Sequence, residues 1–95
     1  MADTWRDEDA YWRENYRARP YAKSYDYDTL GGGYRYGYES ANRYRDSSWE
    51  DVESELERGW DTYEYRGKST WQQVKDAVRD AWDRMVGNRQ HTHTR

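Results

Sequence analysis

Ser48-Trp49-Glu50-Asp51-Val52, followed by Leu56, Gly59 and Trp60, is one copy of a pattern. Thr70-Trp71-Gln72-Gln73-Val74, followed by Val78, Ala81 and Trp82, is a second copy. Each position of the first returns 22 residues later, from Trp49 to Trp71 and from Trp60 to Trp82. Trp, Val, an aliphatic residue, a small residue and Trp fall at i, i+3, i+7, i+10 and i+11, which lines one face of an α-helix. Ser48 and Thr70 are natural N-caps, and Asp51 and Gln73 stand at N3, where a side chain reaches back to the cap. Asp is a shorter arm for that purpose than Glu or Gln. Gly67 and Gly87 can adopt the left-handed conformation that ends a helix. The pattern predicts helices over 49–64 and 71–86, joined closely enough to pack as an αα-hairpin of matched repeats. Gly59 and Ala81, small at matching positions, would let helices cross closely.

Moving toward the N-terminus, the pattern decays but persists. Thr4-Trp5-Arg6-Asp7 repeats the cap, with Trp12 and Tyr16 at i+7 and i+11, and Glu8 where the other copies have Val. This predicts a helix over 5–17, stopped ahead of Pro20 because Arg19 is pushed out of the α region. Tyr34, Tyr38 and Ala41, with Tyr44 or Arg45, form a further helical stripe over 34–45. Tyr34, Tyr36 and Tyr38 also alternate as in a strand, but Glu39-Ser40-Ala41-Asn42-Arg43 favours helix. Residues 18–33 read as a long Tyr-rich loop ending in a Gly31-Gly32-Gly33 hinge, and a loop of that length calls for a binding or mobile role. Residues 88–95 contain no apolar side chain and read as a disordered tail after a single domain of residues 1–87. The expected fold class is all-α, a small bundle of about four helices.

Composition sets the core problem. The chain has 95 residues, 37% of them charged, a formal net charge of -3, no Cys and no Phe. Its mean hydropathy of -1.65 approaches that of disordered chains. Leu30, Val52, Leu56, Val74, Val78, Met85 and Val86, with Met1, are too few aliphatics to offset chain entropy. Six Trp and eleven Tyr supply the missing apolar area. The expected core is Trp12, Trp49, Val52, Leu56, Trp60, Trp71, Val74, Val78 and Trp82. No stretch suits a membrane span, the polar start does not suit a secretory signal, and the absence of Cys fits a reducing cytoplasm.

The chemistry-bearing residues form no catalytic constellation. His91 and His93 stand at i, i+2 in the expected tail, without the further ligands a zinc site needs and without an orienting acid for general-base work. Gly31-Gly32-Gly33 lacks the Lys-Ser/Thr and the preceding strand of a phosphate loop. The Asp80–Arg84 and Arg79–Asp83 spacings read as i, i+4 pairs on a solvated face. No enzyme activity, cofactor or metal is expected.

Tyr11-Trp12-Arg13-Glu14-Asn15-Tyr16, Arg19-Pro20-Tyr21, Tyr34-Arg35-Tyr36-Gly37-Tyr38, Trp49-Glu50-Asp51-Val52-Glu53 and Val78-Arg79-Asp80-Ala81-Trp82 together carry a resemblance. The set resembles a group of small, uncharacterised bacterial Tyr/Trp-rich proteins, some of them found beside general-stress proteins. The resemblance spans about residues 10–86. It implies a bacterial, soluble, stress-linked protein with no assigned activity.

The Tyr excess points to an interaction surface. Core packing explains the Trp residues, but Tyr21, Tyr25, Tyr27, Tyr34, Tyr36 and Tyr38 are too many and too close to be wholly core. Tyr and Arg are enriched at the energetic centres of interfaces. Arg19, Tyr21, Tyr25, Tyr27, Tyr34, Arg35 and Tyr38 are the expected contact residues, for a protein partner or a second copy of the chain. Two alternatives stand beside this. The segment can wrap the core as a lid of Tyr rings. It can also grip single-stranded nucleic acid through the basic, Tyr-rich segment 13–45.

Overall fold

The computed structural model describes residues 4–93, with side chains to residue 87. It is all-α. Helix α1 spans Trp5–Asn15, α2 Tyr27–Arg43, α3 Trp49–Trp60 and α4 Trp71–His93, with short 3-10 turns at Tyr16–Ala18 and Pro20–Lys23 between α1 and α2. No helix among the described residues is long and apolar enough to cross a membrane.

The caps explain most starts. The Asp7 amide donates to Thr4 Oγ1 at 3.4 Å and the Asp51 amide to Ser48 Oγ at 3.3 Å. At α4 the box is reciprocal. The Gln73 amide donates to Thr70 Oγ1 at 3.3 Å, and the Thr70 amide donates to Gln73 Oε1 at 2.9 Å. Gln has the length that Asp51 lacks.

Helix α2 differs from expectation. It starts at Tyr27, not near residue 34, because Asp26 caps it by accepting from the Thr29 amide at 3.0 Å. Gly31-Gly32-Gly33 is therefore helix rather than hinge, and the expected 18–33 loop is two turns followed by the first part of α2. Glycine in a helix interior costs about 1 kcal/mol against Ala, so something must offset it. The offset is close packing of α2 on α4, the dominant helix pair of the fold. A Cβ at Gly33 would lie 2.8 Å from Val74 Cβ, and one at Gly37 would overlap the Val78 carbonyl and lie 2.9 Å from Ala81 Cβ. Gly33, Gly37 and Ala41 thus form a groove into which α4 fits. The expected α3–α4 hairpin is present as sequence neighbours, but it is not the central pairing. Ala81 and Gly59 do not meet each other. Ala81 meets Gly37, and Gly59 makes room for the Tyr36 hydroxyl.

Two helix ends also move. Helix α3 stops at Trp60 rather than 64, and residues 61–70 form turns in which Gly67 takes φ +57°. Helix α4 continues through Gly87 to His93, over most of the stretch read as a tail, and residues 94 and 95 lie outside the described residues. A single exposed glycine weakens a helix without being obliged to end it.

The core is two aromatic clusters on either side of α2. One gathers Tyr36, Trp49, Val52, Leu56, Trp60, Trp71, Val74, Val78 and Trp82, and the other Trp12, Leu30, Tyr34, Ala77 and Ala81. Each residue expected in the core is buried, from Trp71 at 8% exposure to Val74 and Val78 at 0%. At about 25 cal/mol per Å², a buried Trp of roughly 200 Å² contributes about 5 kcal/mol gross. That is how a chain with so few aliphatics holds a core. Tyr34 and Tyr36 enter different clusters because residues two apart on a helix point to nearly opposite sides. The alternation that imitated a strand is a helix packed on both flanks.

Glu8 keeps the register of the degenerate copy. It is 2% exposed in the place of the repeat's Val, and the Arg84 guanidinium donates to it at 2.8 Å. Arg84 also lies 3.5 Å from the centroid of the Tyr11 ring. The expected Asp80–Arg84 pair is absent because both partners are used across the fold. Arg79–Asp83 forms as expected, at 3.5 Å.

Candidate functional site

The segment expected to bind a partner first of all wraps α1 and α4. Arg19, between the two 3-10 turns, forms a forked pair with Asp80 of α4, Nε to Oδ2 at 2.9 Å and Nη2 to Oδ1 at 3.1 Å. Pro20 begins the next turn and aims Tyr21 at the same carboxylate, to which its hydroxyl donates at 2.5 Å. The Tyr21 and Tyr34 hydroxyls are 2.8 Å apart. Arg19, Tyr21 and Tyr34 are therefore brought together, but around Asp80, which the sequence reading assigned to a solvated face. Tyr34 is fully buried and stacks on Trp12 at 4.3 Å, so it is core and not contact surface.

Tyr27 opens α2 and stacks on Tyr34 at 5.8 Å. Its hydroxyl donates to Asp9 Oδ1 at 2.7 Å, and Asp9 also accepts from Arg13 Nε at 2.9 Å. The Arg13 guanidinium lies 4.7 Å from the centroid of the Tyr27 ring. Tyr25 is half-buried against the same cluster, and Tyr38 packs beside Trp5 with centroids 5.7 Å apart. Arg35 donates to Glu39 at 3.0 Å and lies 4.0 Å from the centroid of Tyr65. Tyr65 is 47% exposed, the large hydrophobic residue that stands out into solvent.

Burial raises the phenols above the usual tyrosine range. Tyr34 and Tyr36 are pushed up to about 12, chiefly by loss of water. Tyr21, Tyr27 and Tyr63 rise further, first through burial and then through the bonds to Asp80, Asp9 and Glu39. Their hydroxyls are donors at neutral pH, not bases.

Among the open grooves, one of about 460 Å³ lies over Arg19, Tyr21 and Asp80, and one of about 280 Å³ lies between α1, the start of α2 and the 61–70 turn. Trp5, Tyr27 and Tyr65 line the latter with Arg13 and Arg35, and Asp9 and Asp28 stand at its edge. A larger groove of about 600 Å³ runs beside Trp49 and Trp82, edged by Arg45, Glu50, Arg79 and Asp83. No group of His, Cys, Asp and Glu among the described residues could hold a metal ion. The side chains of His91 and His93 lie outside those described.

Sequence reasoning missed Asp9, Glu39, Asp80, Tyr63 and Tyr65. Asp9–Arg13 and Arg35–Glu39 carry the i, i+4 signature and were legible as pairs. Asp80 gave no local sign, since its partners lie some sixty residues away in the chain. Comparison with protein-family models, with curated proteins and with solved structures finds no match to this chain.

Proposed function

We propose that this chain is a non-catalytic protein-interaction module that assembles with a second copy of itself through the Trp5–Arg35–Tyr65 groove. The observation that carries the reading is the Arg35 guanidinium layered on the exposed Tyr65 ring at 4.0 Å and facing Trp5 at 5.9 Å. Tyr and Arg in that arrangement give a flat, rigid, amphipathic patch of the kind found at interface centres. The groove carries Arg13 and Arg35 together with Asp9 and Asp28. A face with both signs of charge can pair with its own copy about a two-fold axis. The lid reading and the interface reading are compatible. Tyr21, Tyr27 and Tyr34 hold the wrap, while Tyr65 and Arg35 face outward.

A cytoplasmic, stress-linked bacterial setting rests on the motif resemblance and on the lack of Cys. Single-stranded nucleic acid is the weaker reading, because stacking needs free ring faces, and Trp12, Tyr34 and Arg13 already cover faces of Tyr34 and Tyr27.

Light scattering on the purified protein across a concentration series tests the proposal. A defined oligomer is expected, and Tyr65→Ala with Arg35→Ala should weaken association by at least roughly 30-fold, as for interface centres. A monomer at every concentration rejects self-assembly and leaves a separate partner. Co-eluting nucleic acid that salt removes would promote the nucleic-acid reading instead.

A further inference from the structure

One arrangement occurs three times among the described residues. A tyrosine hydroxyl donates to a carboxylate that an arginine also holds. Tyr21 and Arg19 share Asp80, Tyr27 and Arg13 share Asp9, and Tyr63 and Arg35 share Glu39. The hydroxyl-to-carboxylate distances are 2.5, 2.7 and 2.7 Å. Each carboxylate oxygen therefore lies within proton-transfer reach of a phenol, and the arginine fixes its position.

Tyr63 lies against Trp60, and Tyr21 and Tyr27 reach Trp12 through Tyr34. Trp12 stacks on Tyr34 with centroids 4.3 Å apart and rings within 7° of parallel, and Tyr34 leads to Tyr27 at 5.8 Å and, hydroxyl to hydroxyl, to Tyr21 at 2.8 Å. The buried Trp12 Nε1 has no hydrogen-bond partner. In the other cluster Trp60 touches Tyr36 at 5.3 Å and Tyr63 at 5.6 Å. Trp60 Nε1 donates to the Ser69 carbonyl and the Tyr36 hydroxyl to the Leu56 carbonyl, both very weak bases. Tyr63, packed against the same cluster, donates to the Glu39 carboxylate.

We propose that the two aromatic clusters are one-electron relays, in which an electron taken from Trp12 or Trp60 is replaced from Tyr27, Tyr21 or Tyr63 as its phenolic proton passes to the paired carboxylate. The oxidant is a diffusing one-electron acceptor, such as a radical or a high-valent metal complex. The net step is Tyr–OH plus carboxylate plus oxidant giving Tyr–O•, carboxylic acid and the oxidant reduced by one electron. A one-electron donor of the ascorbate class reverses it, with the proton returning to the phenolate oxygen. Oxidised phenols are strong acids, so a base within hydrogen-bond reach decides where the hole settles. An indole cation radical without an acceptor cannot settle by losing its N–H proton. The chemistry protects the Trp residues that hold the core.

The test photo-oxidises the whole protein with a ruthenium(III) polypyridyl complex and follows tyrosyl and tryptophanyl radicals by transient absorption and electron paramagnetic resonance. The wild type should end as tyrosyl, form it more slowly in D2O, and show coupling or hydroxylation at Tyr21, Tyr27 or Tyr63 by peptide mapping. Asp9→Asn, Asp80→Asn and Glu39→Gln keep an acceptor oxygen but remove the base. Combined, they should slow tyrosyl formation on the order of 100-fold, the low end of what a positioned base supplies, with radicals left on Trp. Circular dichroism checks the fold of the combined variant, and Glu39→Gln alone repeats the test in the second cluster. An unchanged rate and isotope effect in the variants, or oxidation of Trp12 and Trp60 in the wild type, overturns the proposal.

Discussion

Gly37 has no side chain, and the fold depends on that. The Val78 carbonyl occupies the place a Cβ would need, and backbone cannot move aside as a side-chain tip can. Gly37→Ala should therefore destabilise the protein by about 1–3 kcal/mol, the range for overpacking, despite the helix propensity gained. Gly87→Ala is the matched control, since nothing lies within 4 Å of its Cβ position. It should stabilise by about 0.5–1 kcal/mol. Urea unfolding of both reads the difference, and equal effects would mean that α2 and α4 are further apart than described. The sequence reading put Gly31-Gly32-Gly33 in a hinge and Gly37 inside a helix, and neither placement carries a sign of close packing. Only the opposing helix gives Gly33 and Gly37 their role.

Among the elements, α1 is the one held on by a charge. Glu8 sits where the repeat would put Val, buried to 2% exposure and met by Arg84. Removing one member of a buried pair strands the other, at about 3–5 kcal/mol. Glu8→Gln keeps a polar group for Arg84 and should cost less than Arg84→Leu, which leaves a carboxylate buried without its cation. Glu8→Val combined with Arg84→Leu restores the repeat and should come out near neutral, or up to about 4 kcal/mol more stable. Hydrogen exchange over residues 5–15 reports whether α1 loosens, and a double variant as unstable as the worse single one would rule out this account. The caps and registers of α1, α3 and α4 were legible because they are local. The start of α2 was not, because Asp26 and Thr29 make a quiet cap in front of three glycines, and the breakers dominated the reading.

For the molecule as a whole, buried phenols set an alkaline limit. Unfolded tyrosine loses its proton near 10.0, whereas Tyr34 and Tyr36 in the fold hold theirs to about 12, and Tyr21, Tyr27 and Tyr63 hold theirs further still. Below pH 10.0 both states carry these protons and the contribution is constant. Above it the unfolded chain binds fewer protons than the folded one, so stability falls as pH rises through 10.0 toward 12. Denaturant unfolding measured along a pH series should show a plateau and then a steep loss beginning near pH 10.0. A late group of phenolates should appear together with the loss of helical circular dichroism. Complete phenolate formation in a protein that stays helical would contradict the burial of these rings.

The sequence by itself determined the all-α class, the Trp-repeat helices and the Trp, Val and Leu side chains that those repeats bring into the core. Those features follow from periodicity and capping, which act over a few residues. Tertiary structure alone decided that α2 packs on α4 through Gly33 and Gly37 and that Asp80 and Arg84 reach across the fold instead of to each other. It also decided that Tyr34 is core while Tyr65 faces solvent. Those outcomes depend on which helix face meets which, and a charge or a ring on a helix carries no local mark of whether another helix will cover it.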